Sequence, residues 1–291
     1  MYLVVAKTSQ LDIRGDKLNQ MVQNGELKHE HMQRFENAHK DHVDTYSNLL
    51  KSLKENNIAF QEVLRGEVWP DCKDVKAVIT VGGDGTVLEA SHNLNDSEVP
   101  LIGIRSSAMS VGFLCYVTEN EIDLLANRLK QDEVNYLSVE RLKAKVVKAD
   151  GSTFLTPPVL NDFLYTNQNP AETTRYLFEF DGNKEEHKSS GVWISTAAGS
   201  TAAISAAGGE VYPIEYKQFQ YVIREPYCPP GGCYLKTKSE FDPGKNNIMI
   251  ENRCHNALLA LDGHHGMISL GIGDHITFER ASPLKIARKP D

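Results

Sequence analysis

A glycine-rich turn with one carboxylate and one hydroxyl is the segment of this chain that most clearly offers chemistry. Residues 82–86 read Gly-Gly-Asp-Gly-Thr and follow an apolar run at 75–81. Glycines let a ligand approach the backbone closely, and free N–H groups at the start of a helix near Thr86 would suit phosphate oxygens. A carboxylate beside a phosphate is unfavourable unless it takes a proton or holds Mg²⁺, which makes Asp84 a candidate general base. A tight turn with Asp84 as a helix cap explains the same residues.

Two further segments place small or polar residues where apolar strands are predicted. Residues 189–209 read SSGVWISTAAGSTAAISAAGG, in which a strand at 192–195 leads into a run of small residues suited to a helix. Close approach of a ligand and tight helix packing both account for such small side chains. Asn161 and Asp162 lie within the apolar segment 159–164, where two polar side chains need partners if they are buried. A ligand site, a bulge and a turn stay open as explanations.

Predicted strands and helices, which must position these residues, alternate in the first third of the chain. Helical spacing of apolar residues starts at Val43 and again after the glycine-rich turn, and a polar region at 9–40 is predicted to be an exposed helical insert. This βαβ order predicts an α/β N-terminal domain with a parallel doubly wound sheet over residues 1–120. Its strands are predicted at 2–6, 58–64, 75–81 and 100–104.

Beyond residue 120 the chain consists mainly of short β segments separated by turn residues. This pattern predicts a mostly antiparallel β domain over residues 121–281. Its strands are predicted at 142–147, 159–166, 176–180, 191–196, 247–251, 257–262 and 275–279.

The composition argues against several classes of partner. The 291 residues carry a net charge of −8 with a pI near 5.7, and without a long basic stretch no nucleic-acid partner is expected. No apolar run reaches the length of a membrane span, so no membrane partner is expected. The five cysteines are odd in number and scattered, which predicts a reducing, cytoplasmic compartment. Cys228 and Cys233 have no second pair at matching spacing, so no protein metal site is predicted.

Four motifs in one order resemble the NAD kinase family. They are Gly-Gly-Asp-Gly-Thr at 82–86, the Asn-Asp pair at 161–162, the Thr-x-x-Gly-Ser-Thr-Ala segment at 196–202 and Asp-Gly at 262–263. The run SGVWISTAAGSTAA followed by FQYVIREPYCPP is most similar to the plant-type NADH kinase branch. The resemblance covers the chain from about residue 78 to residue 284, and the combination is far more specific than the first motif alone.

The resemblance implies a reaction and a fold. A kinase of this family would transfer the γ-phosphoryl group of ATP to the 2′-hydroxyl of the adenosine ribose of NAD or NADH, with Mg²⁺ or another divalent ion. Its fold would be an α/β domain followed by a β domain, with residues 282–291 returning to the first. The protein would be a homodimer or a higher homo-oligomer that binds small-molecule substrates.

The resemblance also implies roles for the matching residues. Asp84 would be the general base for the ribose hydroxyl. The ATP phosphates would be bound by Gly82, Gly83, Gly85 and Thr86. The dinucleotide would be bound by Asn161, Asp162, Thr201, Ala202 and Ser205, and we add Arg175, Lys188 and Ser190 as NAD(H)-binding candidates.

Ser190 departs from the family pattern, which has Asp at this position. A hydroxyl in place of that carboxylate, with Lys188 two residues earlier, would favour the neutral nicotinamide ring of NADH over the positive ring of NAD⁺. Arg105 stands where the family has Asn, and both a phosphate contact and a surface charge at a strand end explain it. His264 falls where many relatives carry Gln near the ligand, and its role is left open.

Two other functions share part of this evidence. A lipid kinase of the diacylglycerol or sphingosine type carries the same glycine-rich motif, but it would be expected to have a basic or exposed apolar patch facing the membrane. A non-catalytic dinucleotide-binding regulator would fit the replacement at Ser190, although the retained Asp84 argues against it. ATP and polyphosphate both stay open as phosphoryl donors.

Overall fold

The computed structural model describes residues 1–95, 97–228, 230 and 236–288, and the chain divides into two compact units. The first unit comprises Met1–Leu137 together with residues 285–288, and the second comprises Ser138–Leu284. Each unit has its own hydrophobic core. Cys233, considered above with Cys228 for a metal site, lies outside the described residues.

The first unit is built on a parallel sheet. Its strands are β1 (Tyr2–Ala6), β2 (Phe60–Leu64), β3 (Val78–Gly82), β4 (Leu101–Arg105) and β5 (Val117–Thr118). They are hydrogen-bonded in the order β5-β4-β3-β1-β2, and each of these pairs is parallel. β1 and β3 are buried along their whole length, which explains why their sequences are apolar runs without alternation. The predicted parallel sheet of an α/β domain is confirmed.

Four α-helices in the described part of the chain belong to this unit. They are α1 (Gln10–Gln23), α2 (His29–Glu55), α3 (Asp84–Asn93) and α4 (Ile122–Gln131). The polar region at 9–40 is helical as predicted, since it forms α1 and the first half of α2. α1 begins with a capping box in which Ser9 and Asp12 exchange hydrogen bonds. α2 buries Leu49 and Leu53 completely in the core of this unit.

The second unit is formed mainly of antiparallel strands, which confirms the predicted β domain. Six strands lie in the order β13-β12-β11-β8-β15-β16, four in the order β10-β9-β14-β17, and β6 pairs with β7 and β17. Aromatic side chains such as Phe163, Tyr176 and Phe178 fill the core. The strands are β6 (Tyr136–Val147), β7 (Thr153–Leu155), β8 (Asp162–Asn167), β9 (Thr174–Phe180), β10 (Asn183–Ser189), β11 (Gly191–Ser195), β12 (Phe219–Arg224), β13 (Lys238–Phe241), β14 (Ile248–Asn252), β15 (Ala257–Leu261), β16 (Gly266–Leu270) and β17 (His275–Ala287).

Five of these strands, β7, β10, β12, β13 and β16, are not among the predicted ones. β10 reads Asn-Lys-Glu-Glu-His-Lys-Ser and β13 reads Lys-Ser-Glu-Phe, so charged residues hide them in the sequence. Their pairing with neighbouring strands, rather than their own propensity, makes them strands. The helix predicted for the run of small residues is short, because it consists of a 3₁₀ turn at Ala198–Thr201 and one turn of helix, α5 (Ala203–Ala206).

Two findings concern the predicted absence of a membrane partner and the predicted cytoplasmic location. Among residues 1–95, 97–228, 230 and 236–288, no helix combines the length and the apolar character needed to cross a membrane. Cys72, Cys115 and Cys254 are free thiols, whereas Cys228 is disulfide-bonded. Because a disulfide does not favour a reducing compartment, the cytoplasmic location stays a prediction.

Candidate functional site

The glycine-rich turn lies where β3 ends and α3 begins. Gly83 is the N-terminal cap of α3 and makes no side-chain hydrogen bond to the helix, as a glycine must. The next residue, Asp84, is the first of the helix, so its carboxylate stands in the first turn. The partial positive charge at the start of α3 therefore faces the carboxyl edge of the sheet, where an anion is stabilised.

The three glycines of this turn have different reasons to be glycine. A β-carbon at Gly82 would overlap the side chain of Thr86, and one at Gly83 would overlap the hydroxyl of Ser110. A β-carbon at Gly85 would meet no atom within 4 Å. Packing therefore requires the first two glycines, whereas Gly85 leaves its backbone open to a ligand. Thr86 is only 2% exposed, so it supports the turn from inside.

Two backbone amides hold the carboxylate of Asp84. The N–H of Leu114 donates to Oδ1 at 2.8 Å, and the N–H of Phe113 donates to Oδ2 at 3.1 Å. Each carboxylate oxygen has a second lone pair and can accept a further hydrogen bond. The carboxylate is therefore fixed in direction while it can still receive a proton. Nothing in the sequence alone marks the amides of Phe113 and Leu114 as site groups.

The loop that supplies these amides, residues 106–114, is tied to α2 through His42. Nδ1 of His42 lies 3.0 Å from the hydroxyl of Ser106, and Nε2 lies 2.9 Å from the carbonyl oxygen of Lys7. A carbonyl only accepts, so Nε2 carries the proton and Nδ1 accepts from Ser106. Burial, followed by the charge of Lys7, lowers the pKa of His42 to about 4, which keeps the ring neutral. A second tie joins Ser107 to the carboxylate of Asp41 at 3.0 Å.

Arg105 at the end of β4 is turned towards an acidic side chain. Its Nε is buried and lies 4.0 Å from Oε2 of Glu119, which is also buried, and neither atom has a hydrogen-bond partner in the described residues. The side chain of Arg105 also fills the space beside Gly112. These contacts favour a structural role for Arg105.

In the second unit, Asp262 organises the chain just before β8. Its carboxylate accepts the N–H groups of Leu160, Asn161 and Asp162 at 3.0, 2.7 and 3.0 Å. Three donors curl these residues around one carboxylate. Asp262 therefore positions the Asn-Asp pair, and it is the aspartate of the late Asp-Gly motif.

The side chains of Asn161 and Asp162 are in environments that a purely structural role does not explain. Oδ1 of Asn161 is buried and has no hydrogen-bond partner among the residues that the structure describes. A buried acceptor without a donor is costly, and a ligand donor would remove that cost. Burial, followed by the charge of Asp262, raises the pKa of Asp162 to about 7.

The turn after β11 packs directly on Asn161. Thr196 donates its backbone N–H to the carbonyl of Asn161 at 2.9 Å and its hydroxyl to the carbonyl of Leu160 at 2.5 Å. A β-carbon at Gly199 would overlap the backbone of Asn161, so this residue must be glycine. The structure thus brings together the Asn-Asp pair, Asp262 and the segment that starts at Thr196. Among the predicted residues that follow, Thr201 is exposed, and Ala202 and Ser205 are half-buried.

The other predicted NAD(H) residues lie at the opposite end of β11. Ser190 precedes β11 and Thr196 follows it, so about 20 Å of extended chain separates them. Arg175 and Lys188 are exposed and stand directly opposite each other on β9 and β10. The hydroxyl of Ser190 donates to the carboxylate of Glu225, a residue with a positive φ of 45°. A carboxylate therefore stands beside Ser190, although Ser190 itself has none.

Comparisons with known proteins agree with the motifs. Residues 15–134 match the family model described as the ATP-NAD kinase N-terminal domain. A probable NADH kinase of Oryza sativa subsp. japonica is 30% identical over 260 residues, which cover 81% of this chain and 78% of the rice protein. An NADH kinase of Arabidopsis thaliana is 30% identical over 275 residues, which cover 87% and 85% of the two chains.

Solved structures share the fold. Yeast NADH kinase, complexed with NADH, aligns with a TM-score of 0.74 at 16% identity and covers 100% of this chain and 84% of the yeast chain. An NAD kinase from Archaeoglobus fulgidus, in complex with ATP, aligns with a TM-score of 0.67 at 17% identity and covers 99% and 94%. Since the plant relatives match over most of their length and the motifs occupy matching elements, this chain belongs to the NAD kinase family.

Proposed function

We propose that this protein transfers the terminal phosphoryl group of ATP to the 2′-hydroxyl of the adenosine ribose of NAD or NADH. The observation that carries the proposal is the turn at 82–86, in which a carboxylate fixed by two amides stands in the first turn of α3 beside the open backbone of Gly85. This one turn offers a base and a phosphate-binding backbone. The family assignment removes the lipid-kinase alternative, and the plant relatives are named NADH kinases.

Asp84 acts as the general base in this reaction. Its carboxylate takes the proton of the ribose 2′-hydroxyl while that oxygen forms a bond to the γ-phosphorus and the bond from phosphorus to the leaving ADP oxygen breaks. The amides of Phe113 and Leu114 hold the carboxylate in one direction throughout. The N-terminus of α3 stabilises negative charge on the transferred group.

The second unit recognises the dinucleotide. The partnerless Oδ1 of Asn161 accepts a hydrogen bond from a ligand N–H or O–H, and Asp162 offers a carboxyl group beside it. Thr201, Ala202 and Ser205 extend this surface, and Arg175, Lys188 and Ser190 are candidates for the more distant half of the dinucleotide.

Mg²⁺ fits this arrangement as an ion that arrives with ATP. The part of the chain that the structure describes has no group of three or more His, Cys, Asp or Glu side chains placed to hold a metal. Mg²⁺ is usually bound by substrate phosphates with only one or two carboxylates, and Asp84 is the carboxylate of the turn. When bound, the ion would neutralise charge on the triphosphate. A homodimeric or higher homo-oligomeric, cytoplasmic enzyme is part of the same proposal.

The direct test is to incubate the purified protein with ATP and Mg²⁺ and either NAD or NADH, and to measure NADP(H) with an NADP-specific dehydrogenase. We expect product with at least one dinucleotide and a loss of product in Asp84→Asn. Absence of product with both dinucleotides and with ATP or polyphosphate would contradict the proposal and favour a non-catalytic dinucleotide-binding protein.

A further inference from the structure

The second unit contains a cavity of about 310 Å³ whose described lining includes none of the residues predicted to bind ATP or NAD(H). Its walls come from two sheets, because β9 and β10 belong to one sheet and β12 to the other. Asn183, which lines the cavity, begins β10, and Ser190 follows the end of that strand, so about 20 Å of extended chain separates them. The cavity therefore lies towards the opposite end of β10 from the dinucleotide-binding candidate Ser190.

Three of the side chains that line the cavity are aromatic and buried, namely Phe178 and Phe180 of β9 and Tyr221 of β12. The centre of the Tyr221 ring lies 5.0 Å from that of Phe178 and 5.1 Å from that of Phe180, and the ring planes are inclined at 53° and 68°. Inclined rings turn their faces in different directions, and the face of an aromatic ring attracts a cation. Nζ of Lys236 lies 5.6 Å from the centre of the Phe180 ring, so this ring already has a cation beside it.

The hydroxyl of Tyr221 adds a polar group to this aromatic wall. Tyr221 is fully buried, and its oxygen has no hydrogen-bond partner in the part of the chain that the structure describes. A buried hydroxyl without a partner is costly, so a ligand that brings a hydrogen-bonding group to it removes that cost. Burial, followed by the charge of Glu185, raises the pKa of Tyr221. The hydroxyl therefore stays protonated, and its oxygen can accept a hydrogen bond from an N–H group.

The charges of the cavity favour a positive ligand. Asp181, Glu185 and Lys236 line it, so its described charged side chains carry one more negative charge than positive. Oε2 of Glu185 lies 3.2 Å from Nε2 of His187, but burial lowers the pKa of His187, so this ring is neutral near pH 7 and does not cancel the charge of the carboxylate. A carboxylate, a hydroxyl oxygen and aromatic faces together suit an ammonium ion.

We propose that this cavity binds a small primary ammonium ion with an apolar body. The ammonium group donates hydrogen bonds to the oxygens of Tyr221 and Glu185, and the apolar body packs against Phe178 and Phe180. The volume is at the lower end of the range for ligand pockets, so the body is about the size of one aromatic ring. None of these groups takes part in the proposed phosphoryl transfer, so this is a second site, and it does not depend on the formation of NADP(H).

The test titrates the whole protein with the phenethylammonium ion and follows the backbone amides by NMR. We expect saturable binding with shifts at the amides of Phe178, Glu185 and Tyr221. Glu185→Gln should weaken binding by about tenfold, because a charge-assisted hydrogen bond is lost. Glu186→Gln is the matched control, since Glu186 is exposed and is not among the residues that line the cavity, and it should bind as the wild type does. Equal affinities of the wild type and Glu185→Gln would overturn the proposal.

A second variant tests the hydroxyl of Tyr221. Tyr221→Phe removes only this group, so it should weaken the binding of phenethylammonium by about fivefold. The same substitution should not weaken the binding of the N,N,N-trimethyl analogue, which carries the charge but has no N–H donor. Equal affinities of Tyr221→Phe and the wild type for phenethylammonium would show that the hydroxyl does not bind the ammonium group.

Two competition measurements test the charge and the place of the ligand. The neutral 2-phenylethanol has the same apolar body and should bind at least about tenfold more weakly than phenethylammonium. Equal binding of the two would mean that the cavity selects only for apolar surface, and the proposal would fail. An excess of NADH should not displace phenethylammonium, and displacement would assign the ammonium ion to the dinucleotide site instead of this cavity.

Discussion

The orientation of the Asp84 carboxylate depends on two backbone amides. The two amides that reach its carboxylate leave no freedom of rotation, and the side chain stays aimed as it is. Substitution by Asn keeps the shape, but its NH₂ group would face one of the two N–H donors, and it cannot take a proton.

We expect Asp84→Asn to lower kcat by at least about 100-fold, the lower range of general-base contributions, while NADH binding is retained. Steady-state kinetics and calorimetry with NADH measure the two quantities separately. A variant that turns over within a few-fold of the wild type would show that Asp84 is not the base.

Asp162 should make the stability of the protein depend on pH. Its pKa is raised to about 7 in the folded state, above its value of about 4 in the unfolded chain. The folded state therefore binds the extra proton between pH 4 and pH 7, and the free energy of unfolding of the wild type falls as the pH rises through this window. Asp162→Asn is neutral at every pH and removes this dependence.

At pH 8 we expect Asp162→Asn to be more stable than the wild type by up to about 4 kcal/mol, which is three pKa units, and at pH 4.5 the difference should fall to about 1 kcal/mol. Urea unfolding of both proteins at the two pH values measures this difference in the free energy of unfolding. Parallel pH curves for the two proteins would contradict the raised pKa. The same variant should raise the KM for NADH more than the KM for ATP.

The contact between Ser190 and Glu225 changes the expected basis of dinucleotide choice. The sequence suggests that Ser190 removes a carboxylate and that Lys188 then favours neutral NADH. The structure shows that the carboxylate of Glu225 accepts a hydrogen bond from Ser190, so a carboxylate is present beside this residue. If the nicotinamide ring lies near Ser190, Glu225 offsets Lys188.

We therefore expect Glu225→Gln to shift the ratio of kcat/KM values towards NADH by about fivefold, with salt reducing the effect. Ser190→Asp should shift the ratio towards NAD⁺, because it adds a carboxylate beside that of Glu225. Measuring both dinucleotides for both variants decides the matter, and an unchanged ratio in both would place the ring away from these residues.

At the scale of elements, α2 controls the loop that aims Asp84. His42 joins the end of β1 to residue 106, Asp41 joins Ser107, and the amides that follow in this loop reach the carboxylate. The helix thus acts on the carboxylate of Asp84 without touching it.

We expect His42→Leu to lower kcat by about tenfold and the free energy of unfolding by about 1–3 kcal/mol, because Lys7 and Ser106 lose their partner inside the protein. His42→Gln, which keeps one donor and one acceptor, should recover most of both. The KM for NADH should not change in either variant. Equal kcat values for the Leu and Gln variants would mean that His42 only fills space.

Some of the elements and site groups could be predicted from the sequence, and others could not. The strands β1, β3 and β4 were predictable because buried parallel strands must be apolar, and the glycine-rich turn because it joins such a strand to a helix. The amides of Phe113 and Leu114 were not predictable as site groups. Every residue except proline carries an N–H, and only the fold determines which of them reach the carboxylate of Asp84. The role of Asp262 is similar, because its partners are three backbone groups about a hundred residues earlier.

At the scale of the whole chain, the first unit is completed by the last residues. Ile286 of β17 pairs in parallel with Leu101 of β4, and Arg288 follows. Nη1 of Arg288 donates to the carbonyl of Phe113 at 2.9 Å, and its guanidinium lies 5.5 Å from the centre of the Phe113 ring. The C-terminal residues thus hold the same loop that holds Asp84.

This connection predicts an effect of Arg288 on catalysis. Arg288→Ala removes a charge-assisted hydrogen bond and a cation–π contact, so we expect the free energy of unfolding to fall by about 1–3 kcal/mol and kcat to fall several-fold, with the KM for NADH unchanged. Lys285→Ala is the matched control, because Lys285 forms an exposed ion pair with Glu98, which is worth little. Denaturant unfolding and steady-state kinetics on the three proteins measure both effects. If Arg288→Ala loses stability but keeps kcat, the C-terminal residues stabilise the first unit without aiming Asp84, and the amides of the loop must be held by α2 alone.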